Sequence, residues 1–375
     1  MTGVRARGEE IRRFILERVQ SNSLSISKLT TDRFGVSRQA VNEHLRRLVA
    51  AGALTEAGNT RGRTYTLARL VEWQHQYEIV PGLAEDVAWR NDVAPVIGQL
   101  PDNVRDIWYY GFTEMFNNAI DHSGGKGITV GITKTAVTTE MLIMDNGVGI
   151  FRKIQKALNL LDERQAIFEL SKGKLTTDPK NHTGQGIFFT SRIFDGFDIL
   201  SGGVFYSHEF GKPEDWLLER KNPKDGTSIF MKLGNHTART TKKVFDQFTS
   251  DDPDDFSFSK TVVPVELAQY GNDKLISRSQ AKRVLARVEL FKKVILNFKN
   301  VPTIGQAFAD EVFRVFPQDH PEVELIPMHE NSEVKRMILR AKNDAAASAS
   351  PSRSAPLPES EPSDEDDGEF SSGGE

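Results

Sequence analysis

The sequence contains no cysteine, which excludes disulfide bonds, thiolate zinc sites and cysteine nucleophiles. It also lacks any apolar run close to the roughly 18 residues that a membrane span requires. Its N-terminus is charged rather than apolar, unlike a secretory signal. These absences predict a soluble, cytoplasmic protein that has no membrane partner.

Apolar residues make up only 38% of the chain, and the C-terminal end is especially poor in them. Residues 343–375 carry nine acidic residues against one arginine. Such a segment buries too little apolar surface to offset the entropy of ordering, so we predict a disordered acidic tail. Residues 1–70 are the opposite, with thirteen Lys or Arg and six Asp or Glu, which indicates a polyanionic partner.

Three helical patterns and a hairpin are predicted within the basic residues 1–70. The first two helices are GEEIRRFILERVQS and SISKLTTDRF. The third, SRQAVNEHLRRLVAAG, has Ser37 as N-cap and Gly52 as its stop. Two short strands flank the turn-prone GNTRGR. This arrangement resembles a winged helix-turn-helix of the bacterial repressor type.

The resemblance implies that the N-terminal half of the third helix enters a major groove while the hairpin touches phosphates or the minor groove. Arg38, Gln39 and Asn42 would then face base edges, because Arg suits guanine and Gln or Asn suits adenine. The expected contacts to the DNA backbone are Arg46, Arg47, Arg61 and Arg63. The alternatives are a winged helix that contacts only protein, or a solvated basic helix face.

The stretch GFTEMFNNAIDHS predicts a helix with Glu114 and Asn118 one turn apart on the same face. The apolar residues lie mostly around the other sides: Phe112, Met115, Phe116 and Ala119. Taken alone, the pattern has another explanation, because an amphipathic helix with a polar stripe facing solvent shows the same spacing.

Further motifs follow that helix in a characteristic order. The predicted strand GITVGITKT precedes a second strand, TEMLIMDNGVGI, whose apolar part ends at Asp145. HTGQGIFFTSRIFD is a glycine-containing loop opening into a helix, and DGTSIFMKL is a turn and a strand. Singly, these are ordinary turns and helix entries. Together they resemble the ATP-binding domain of the GHKL superfamily, which includes gyrase B subunits, ninety-kilodalton chaperones, histidine kinases and anti-sigma-factor kinases.

The resemblance implies a role for each matched residue. Asn118 matches the asparagine that holds Mg²⁺ against the phosphates, and Glu114 matches the glutamate that orients or deprotonates the attacking water. Asp145 matches the aspartate that accepts a hydrogen bond from the adenine amino group, and Thr227 matches the threonine supporting it. Amide hydrogens of the glycine loop would attract phosphate oxygens. The other residues implied in nucleotide binding are Asp121, Gly147, Gly149, Thr183, Gly184, Gln185 and Gly186.

ATP and Mg²⁺ are therefore the expected cofactors, with residues 171–186 closing over the nucleotide. Three lysines are candidates for a phosphate contact: Lys172, Lys174 and Lys180. Hydrolysis stays open, because Asn117 stands where gyrase-like members have aspartate and no lysine from a following domain is identified. His75 lacks the acid, the proline and the long helix pair of a phosphoacceptor, which disfavours histidine kinase activity.

Residues 260–341 alternate between strand and helix patterns, and Ser277 is a predicted helix cap. This pattern resembles the STAS-like domain related to anti-sigma-factor antagonists, in which an aspartate ends a strand before a phosphorylated serine. Here Asn297 replaces the acid and Thr303 is the only nearby hydroxyl. The departure favours docking of a protein partner, or sensing, over phosphorylation.

The expected protein is multidomain α+β. It has a winged helix (1–70), an α/β sandwich of the GHKL type with its linker (71–240), a small α/β STAS-like domain (241–342) and the acidic tail (343–375). We predict a DNA-binding transcription regulator in which ATP and Mg²⁺ switch domain arrangement, homodimer formation or DNA affinity. The alternatives are a serine/threonine kinase of the anti-sigma type and an adaptor with an inert ATP site.

Overall fold

The computed structural model describes residues 2–59, 62–176, 183–212, 215–252, 255, 257–269 and 273–349. This part of the chain forms three sheets, surrounded by helices and packed into two hydrophobic cores. The prediction of a multidomain α+β protein is therefore confirmed. None of the helices in these residues combines the length and the apolar character that crossing a membrane requires.

The N-terminal head, residues 2–67, contains three helices and an antiparallel hairpin. They are α1 (Thr2–Arg18), α2 (Ile26–Phe34), α3 (Arg38–Ala50), β1 (Leu54–Ala57) and β2 (Thr64–Leu67). The predicted cap of α3 is confirmed, since Ser37 Oγ accepts a hydrogen bond from the Ala40 N–H at 3.2 Å. The head has a core of its own, formed by Ile11, Ile15, Val19, Ile26, Val41, Leu45, Leu48, Leu54 and Tyr65.

Residues 68–70 connect the head to the central sheet, and both ends of this connector are hydrogen-bonded. The Ala68 N–H donates to the Ala53 carbonyl at 3.0 Å, inside the head. The Leu70 N–H donates to the Lys134 carbonyl at 2.7 Å, at the sheet edge. The connector is thus short and fixed at either end.

A five-stranded antiparallel sheet in the order β3-β4-β5-β7-β6 forms the middle of the molecule. Its strands are β3 (Val71–Glu78), β4 (Gly127–Lys134), β5 (Thr138–Asp145), β6 (Gly196–Glu209) and β7 (Asp215–Gly234). Alternating residues of β4 and β5 are buried, as the sequence pattern predicts. His75 lies in the edge strand β3, which agrees with discounting it as a helical phosphoacceptor.

Helix α6 (Asp102–His122) packs its apolar residues into the core, where Trp108, Phe112, Met115 and Phe116 are fully buried. The predicted burial of its apolar sides is therefore confirmed. The other helices of this region are α4 (Glu85–Ala88), α5 (Ala94–Ile97), α7 (Ile150–Ala157), α8 (Glu163–Lys172), α9 (Gly186–Ile193) and α10 (Thr241–Phe245), with a π-helical turn at Trp89–Val93.

The C-terminal module, residues 257–349, contains a parallel sheet in the order β10-β9-β8. Its strands are β8 (Lys260–Pro264), β9 (Lys293–Asn297) and β10 (Glu324–Met328), and its helices are α11 (Arg278–Leu285), α12 (Gln306–Asp310), α13 (Phe316–Asp319) and α14 (Ser332–Ala349). Ser277 forms a complete capping box with Gln280 at the start of α11, which confirms the predicted cap.

One continuous hydrophobic core extends from Ala88 to Ala341 and so includes both the central sheet and the C-terminal module. Phenylalanine rings connect them, with the centroids of Phe188 on α9 and Phe258 of the module 4.8 Å apart. Regions that the sequence divides at residue 240 are therefore packed together around common apolar side chains.

The first residues of the predicted disordered tail, 343–349, are part of a helix. Helix α14 continues to Ala349, so residues 343–349 are helical rather than disordered. The reason is local, because the segment DAAASA is rich in alanine, the residue with the highest helix propensity. The remaining part of the predicted tail, residues 350–375, lies outside the described residues.

Candidate functional site

A cavity of about 300 Å³ lies between α6, the end of β5, α7 and the start of α9. Its size is at the lower end of the range for small-molecule sites. Eight of the eleven residues that the sequence assigned to nucleotide binding line it: Glu114, Asn118, Asp145, Thr183, Gly184, Gln185, Gly186 and Thr227. Four separate segments of the chain therefore meet at one concave site.

Asp145 forms one wall of the cavity at the end of β5, where its side chain is fixed by hydrogen bonds. Its Oδ1 accepts from the Gly147 N–H at 2.9 Å and from the Thr227 N–H at 3.3 Å. The Thr227 hydroxyl in turn accepts from the Ile150 N–H at 3.0 Å. The carboxylate is held as a preorganised acceptor by the backbone N–H groups of Gly147 and Thr227.

Burial raises the pKa of Asp145, which is only 8% exposed. Hydrogen bonds from Gly147 and Thr227 to the carboxylate act in the opposite direction and limit the increase. A buried carboxylate of this kind gains most from a ligand that donates a hydrogen bond to it.

Gly147 and Gly149 shape the turn after β5 and do not line the cavity. A Cβ atom on Gly147 would lie 2.1 Å from the Ser123 carbonyl oxygen, so only glycine allows this turn to pack against the end of α6. Gly149 has a φ of 97°, which glycine adopts without strain.

Residues 183–186, called the phosphate loop after their predicted role, close the opposite end of the cavity and lead into α9. Gly184 has a φ of 69°, and its carbonyl accepts from the Leu175 N–H at 3.1 Å. Gly186 packs against Glu114 so closely that a Cβ atom there would lie 2.0 Å from Glu114 Oε2. The loop is thus held between Leu175 on one side and the α6 carboxylate on the other.

The polar residues of α6 separate into two groups. Glu114 and Asn118 line the cavity, as their shared helix face predicts. Their neighbours Asn117 and Asp121 do not line it, and Asp121 is exposed. The structure therefore leaves Asp121 outside the cavity, although the sequence includes it among the nucleotide residues.

Lys153 on α7 is a lining residue that the sequence analysis missed. Its ammonium group donates to the His122 carbonyl at the end of α6, at 2.8 Å. Among the described residues that line the cavity, Lys153 is the only lysine or arginine. The sequence does carry one indication that Lys153 belongs to the site, because it lies one turn into the helix that begins after Gly149.

Lys172, a predicted phosphate contact, forms its bonds away from the cavity. Its side chain is fully buried, and its ammonium group bonds to Glu169 and to two carbonyls of the C-terminal module. Lys174 likewise donates to a carbonyl of that module. These bonds show that both lysines attach the chain before the phosphate loop to the module. Lys180 lies outside the described residues.

The head presents the predicted base-reading residues on the N-terminal half of α3, where three side chains are exposed: Arg38, Gln39 and Asn42. Arg46 and Arg47 are exposed further along the same helix. Arg63, on the hairpin, lies 3.4 Å from Glu56 and is partly exposed. Arg61 lies outside the described residues. Helix α3 thus carries exposed cations and amides, and the hairpin adds a partly exposed cation.

At the carboxyl end of β9, Asn297 Oδ1 accepts from the Lys299 N–H at 3.1 Å and lies 2.9 Å from His329 Nδ1. Thr303 is half-buried in the loop before α12, which begins at Gln306. The strand acid of the anti-sigma-factor antagonists is thus an asparagine here, and the described loop between β9 and α12 contains no serine.

Residues 280–335 match a family described as a STAS-like domain of unknown function (DUF4325). The matched residues include α11, β9, α12 and β10 of the C-terminal module. No curated protein matches the chain with significance. The comparison thus confirms a STAS-like domain near the C-terminus.

Proposed function

We propose that this protein is a transcription regulator that binds ATP with Mg²⁺ in a GHKL-type domain and DNA through a winged-helix head. One observation carries the proposal: eight residues assigned to nucleotide binding from separate motifs line the same cavity. Their chemistry suits the parts of a nucleotide, with a buried acceptor at one end and a glycine loop at the other.

The adenine end is defined by Asp145. A fixed carboxylate acceptor attracts the amino group of adenine, whereas guanine presents a carbonyl acceptor at the same position. Two acceptor oxygens that face each other in a buried site have no donor between them, which costs more than a lost hydrogen bond. The site should therefore select ATP over GTP.

The phosphate end combines backbone and side-chain groups. Amide hydrogens at the start of α9 attract phosphate oxygens, and Lys153 supplies a positive charge within the cavity. Asn118 would hold Mg²⁺ through its side-chain oxygen, and the ion would neutralise phosphate charge. Glu114, beside Gly186, is the group that would orient or deprotonate water in a hydrolysis reaction.

The head fits DNA by charge and by shape. Its exposed α3 residues suit base edges, and Arg46, Arg47 and Arg63 suit phosphates. The connector at residues 68–70 leads directly into β3, which pairs with β4 along its whole length. Nucleotide-dependent changes in the central sheet would therefore reach the head through few rotatable bonds.

The ATP proposal is tested by calorimetric titration with ATP, with and without Mg²⁺. Asn118→Ala should remove most of the gain in affinity that Mg²⁺ gives, about tenfold or more, because it deletes the ion's protein ligand. Asn117→Ala is the matched control, since it deletes the same group one residue away, outside the cavity. Equal losses in both variants would overturn the assignment of Asn118.

The DNA proposal is tested on selected duplexes at several salt concentrations. Arg38→Ala should relax sequence preference by about 1–3 kcal/mol, since it removes a base contact. Arg63→Ala should weaken all sequences similarly and lower the salt slope by about one, since it removes a phosphate contact. Unchanged DNA binding in both variants would contradict the proposed role of the head.

A second candidate is a serine/threonine kinase of the anti-sigma type, favoured by the STAS-like residues 280–335 in the same chain. Such a kinase would transfer the γ-phosphoryl group to a hydroxyl of a protein. Incubation with labelled ATP separates the candidates, because label on protein supports the kinase and free phosphate supports the ATPase.

A further inference from the structure

The stem, residues 171–175, is the segment that precedes the phosphate loop, and the C-terminal module holds it. Lys172 lies at the end of α8, where its ammonium group donates to Glu169 Oε1 at 2.8 Å. The same group donates to the carbonyls of Arg283 at 3.0 Å and Ala286 at 2.9 Å. The Thr261 hydroxyl of β8 donates to the Lys172 carbonyl at 2.6 Å.

Arg287 makes the most extensive contact with the stem. Its Nη1 lies 3.3 Å from Glu169 Oε2, and its Nη2 donates to the carbonyls of Gly173, at 3.3 Å, and Lys174. Arg287 has a φ of 65°, a left-handed conformation that is sterically disfavoured outside glycine. Such conformations persist where surrounding contacts over-determine them, and the Arg287 guanidinium makes three such contacts here.

Lys174 adds a contact from the stem to the module. Its ammonium group donates to the Leu290 carbonyl at 2.7 Å and lies 4.6 Å from the ring centroid of Phe291. The next residue, Leu175, donates its N–H to the Gly184 carbonyl at 3.1 Å. The contacts of the module thus continue directly into the phosphate loop.

The far side of the phosphate loop is anchored to the chain leading into the module. On α9, the ring of Phe188 lies 4.8 Å from that of Phe258 and 5.0 Å from that of Phe248. Phe189 lies 4.4 Å from Phe245 and 4.9 Å from Phe258. The two described elements that contact the loop, the stem and α9, therefore both pack against the module or the chain leading into it.

We infer that the C-terminal module is a clamp that holds the phosphate loop through Arg287 and the stem, so that nucleotide affinity depends on the state of the module. The inference rests on the proposed ATP site for its effect on affinity. Coupling of this kind is reciprocal, so ATP would stabilise the clamped arrangement as much as the clamp favours ATP. A partner that docks on the STAS-like domain would thereby regulate the nucleotide site.

The test uses the full chain with Arg287→Ala and, as matched control, Lys282→Ala on α11 of the same module. The Lys282 side chain is 71% exposed, and its ammonium group lies 3.8 Å from Glu311 rather than at the stem. Two measurements are made: amide hydrogen exchange of the stem without nucleotide, and calorimetric affinity for ATP with Mg²⁺.

Arg287→Ala should speed exchange at the Leu175 amide about tenfold, because it removes a charged donor from two stem carbonyls and from Glu169. ATP affinity should fall by a similar factor, while Lys282→Ala changes neither. A folded Arg287→Ala protein with the exchange and affinity of the natural sequence overturns the clamp.

Lys174→Ala covers the case in which Arg287→Ala fails to fold. It removes the bond to the Leu290 carbonyl from a half-buried position and should speed exchange at Leu175 several-fold. Unchanged exchange in that variant also overturns the clamp. If the natural sequence binds no ATP, the proposed function fails, and the exchange comparison alone then supports or overturns the clamp.

Discussion

The head and the C-terminal module flank the same central sheet but are attached to it in different ways. The head packs around its own apolar residues and continues into the sheet through residues 68–70. The module shares the core of the sheet and forms buried polar bonds with the stem. This difference indicates that the head is a separable unit, whereas the module is part of the unit that contains the proposed nucleotide site.

The buried charges of the stem are a second difference between the attachment of the module and that of the head. Burial lowers the pKa of Lys172 to about 8, although the carboxylate of Glu169 acts against that change. A buried ion pair is tolerated when hydrogen bonds satisfy its remaining donors, as the Arg283 and Ala286 carbonyls do here. Such a junction holds one arrangement and resists partial opening.

The largest expected change in stability comes from breaking the buried bonds between Lys172 of the stem and the module. Lys172→Met should destabilise the sheet and module together by about 3–5 kcal/mol, because it removes the donor to Glu169 Oε1 and to two carbonyls. All four tryptophans lie in the middle region: Trp73, Trp89, Trp108 and Trp216. Urea unfolding followed by tryptophan fluorescence therefore measures the change.

The control for that experiment is Lys282→Ala, an exposed change that should stay within about 0.5 kcal/mol. If Lys172→Met left the fluorescence transition in place, the junction would be weaker than its contacts indicate, and the module would behave as a separate domain.

Leu45→Ala makes the complementary change in the head. Leu45 is fully buried on α3, so its truncation should destabilise the head by about 2–5 kcal/mol and weaken DNA binding. Because the head has no tryptophan, the fluorescence transition should not move, while the far-UV circular dichroism loses helix at lower urea. A fluorescence transition that shifts with the dichroism would contradict separate packing.

The smallest expected effect concerns the pH dependence of ATP binding. Since burial raises the pKa of Asp145, protonation removes its charge at a higher pH than for an exposed aspartate, whose usual value is about 3.9. Affinity should therefore fall as the pH decreases through that raised pKa, about fivefold for the loss of one charge-assisted bond.

Asp145→Asn is the comparison for the pH experiment, because asparagine does not titrate. Protonation of the nucleotide's own phosphates affects both proteins equally, so the difference between the two titrations isolates Asp145. Parallel curves would indicate that Asp145 does not contact the base.

Local sequence patterns predict the parts of this molecule that depend on neighbouring residues. The caps Ser37 and Ser277 and the placement of Asp145 at a strand end follow from short-range rules. Glu114 and Asn118 meet the cavity because helical spacing puts them on one face.

The remaining features depend on contacts between residues that are far apart in the sequence. In SKGKLTTDPK the sequence resembles a polar loop, yet Lys172 ends a helix and bonds to Arg283, 111 residues further along. Lys153 belongs to the cavity only because α7 folds back against the end of α6. No local periodicity contains such information, and the shared core was missed for the same reason.

The most direct test of the account is calorimetric titration of the natural sequence with ATP and with GTP, each with Mg²⁺. The acceptor at Asp145 predicts that ATP binds and that GTP binds at least about 100-fold more weakly, because two buried acceptors would face each other. Absence of heat from ATP, or equal affinity for the two nucleotides, would contradict the proposed site.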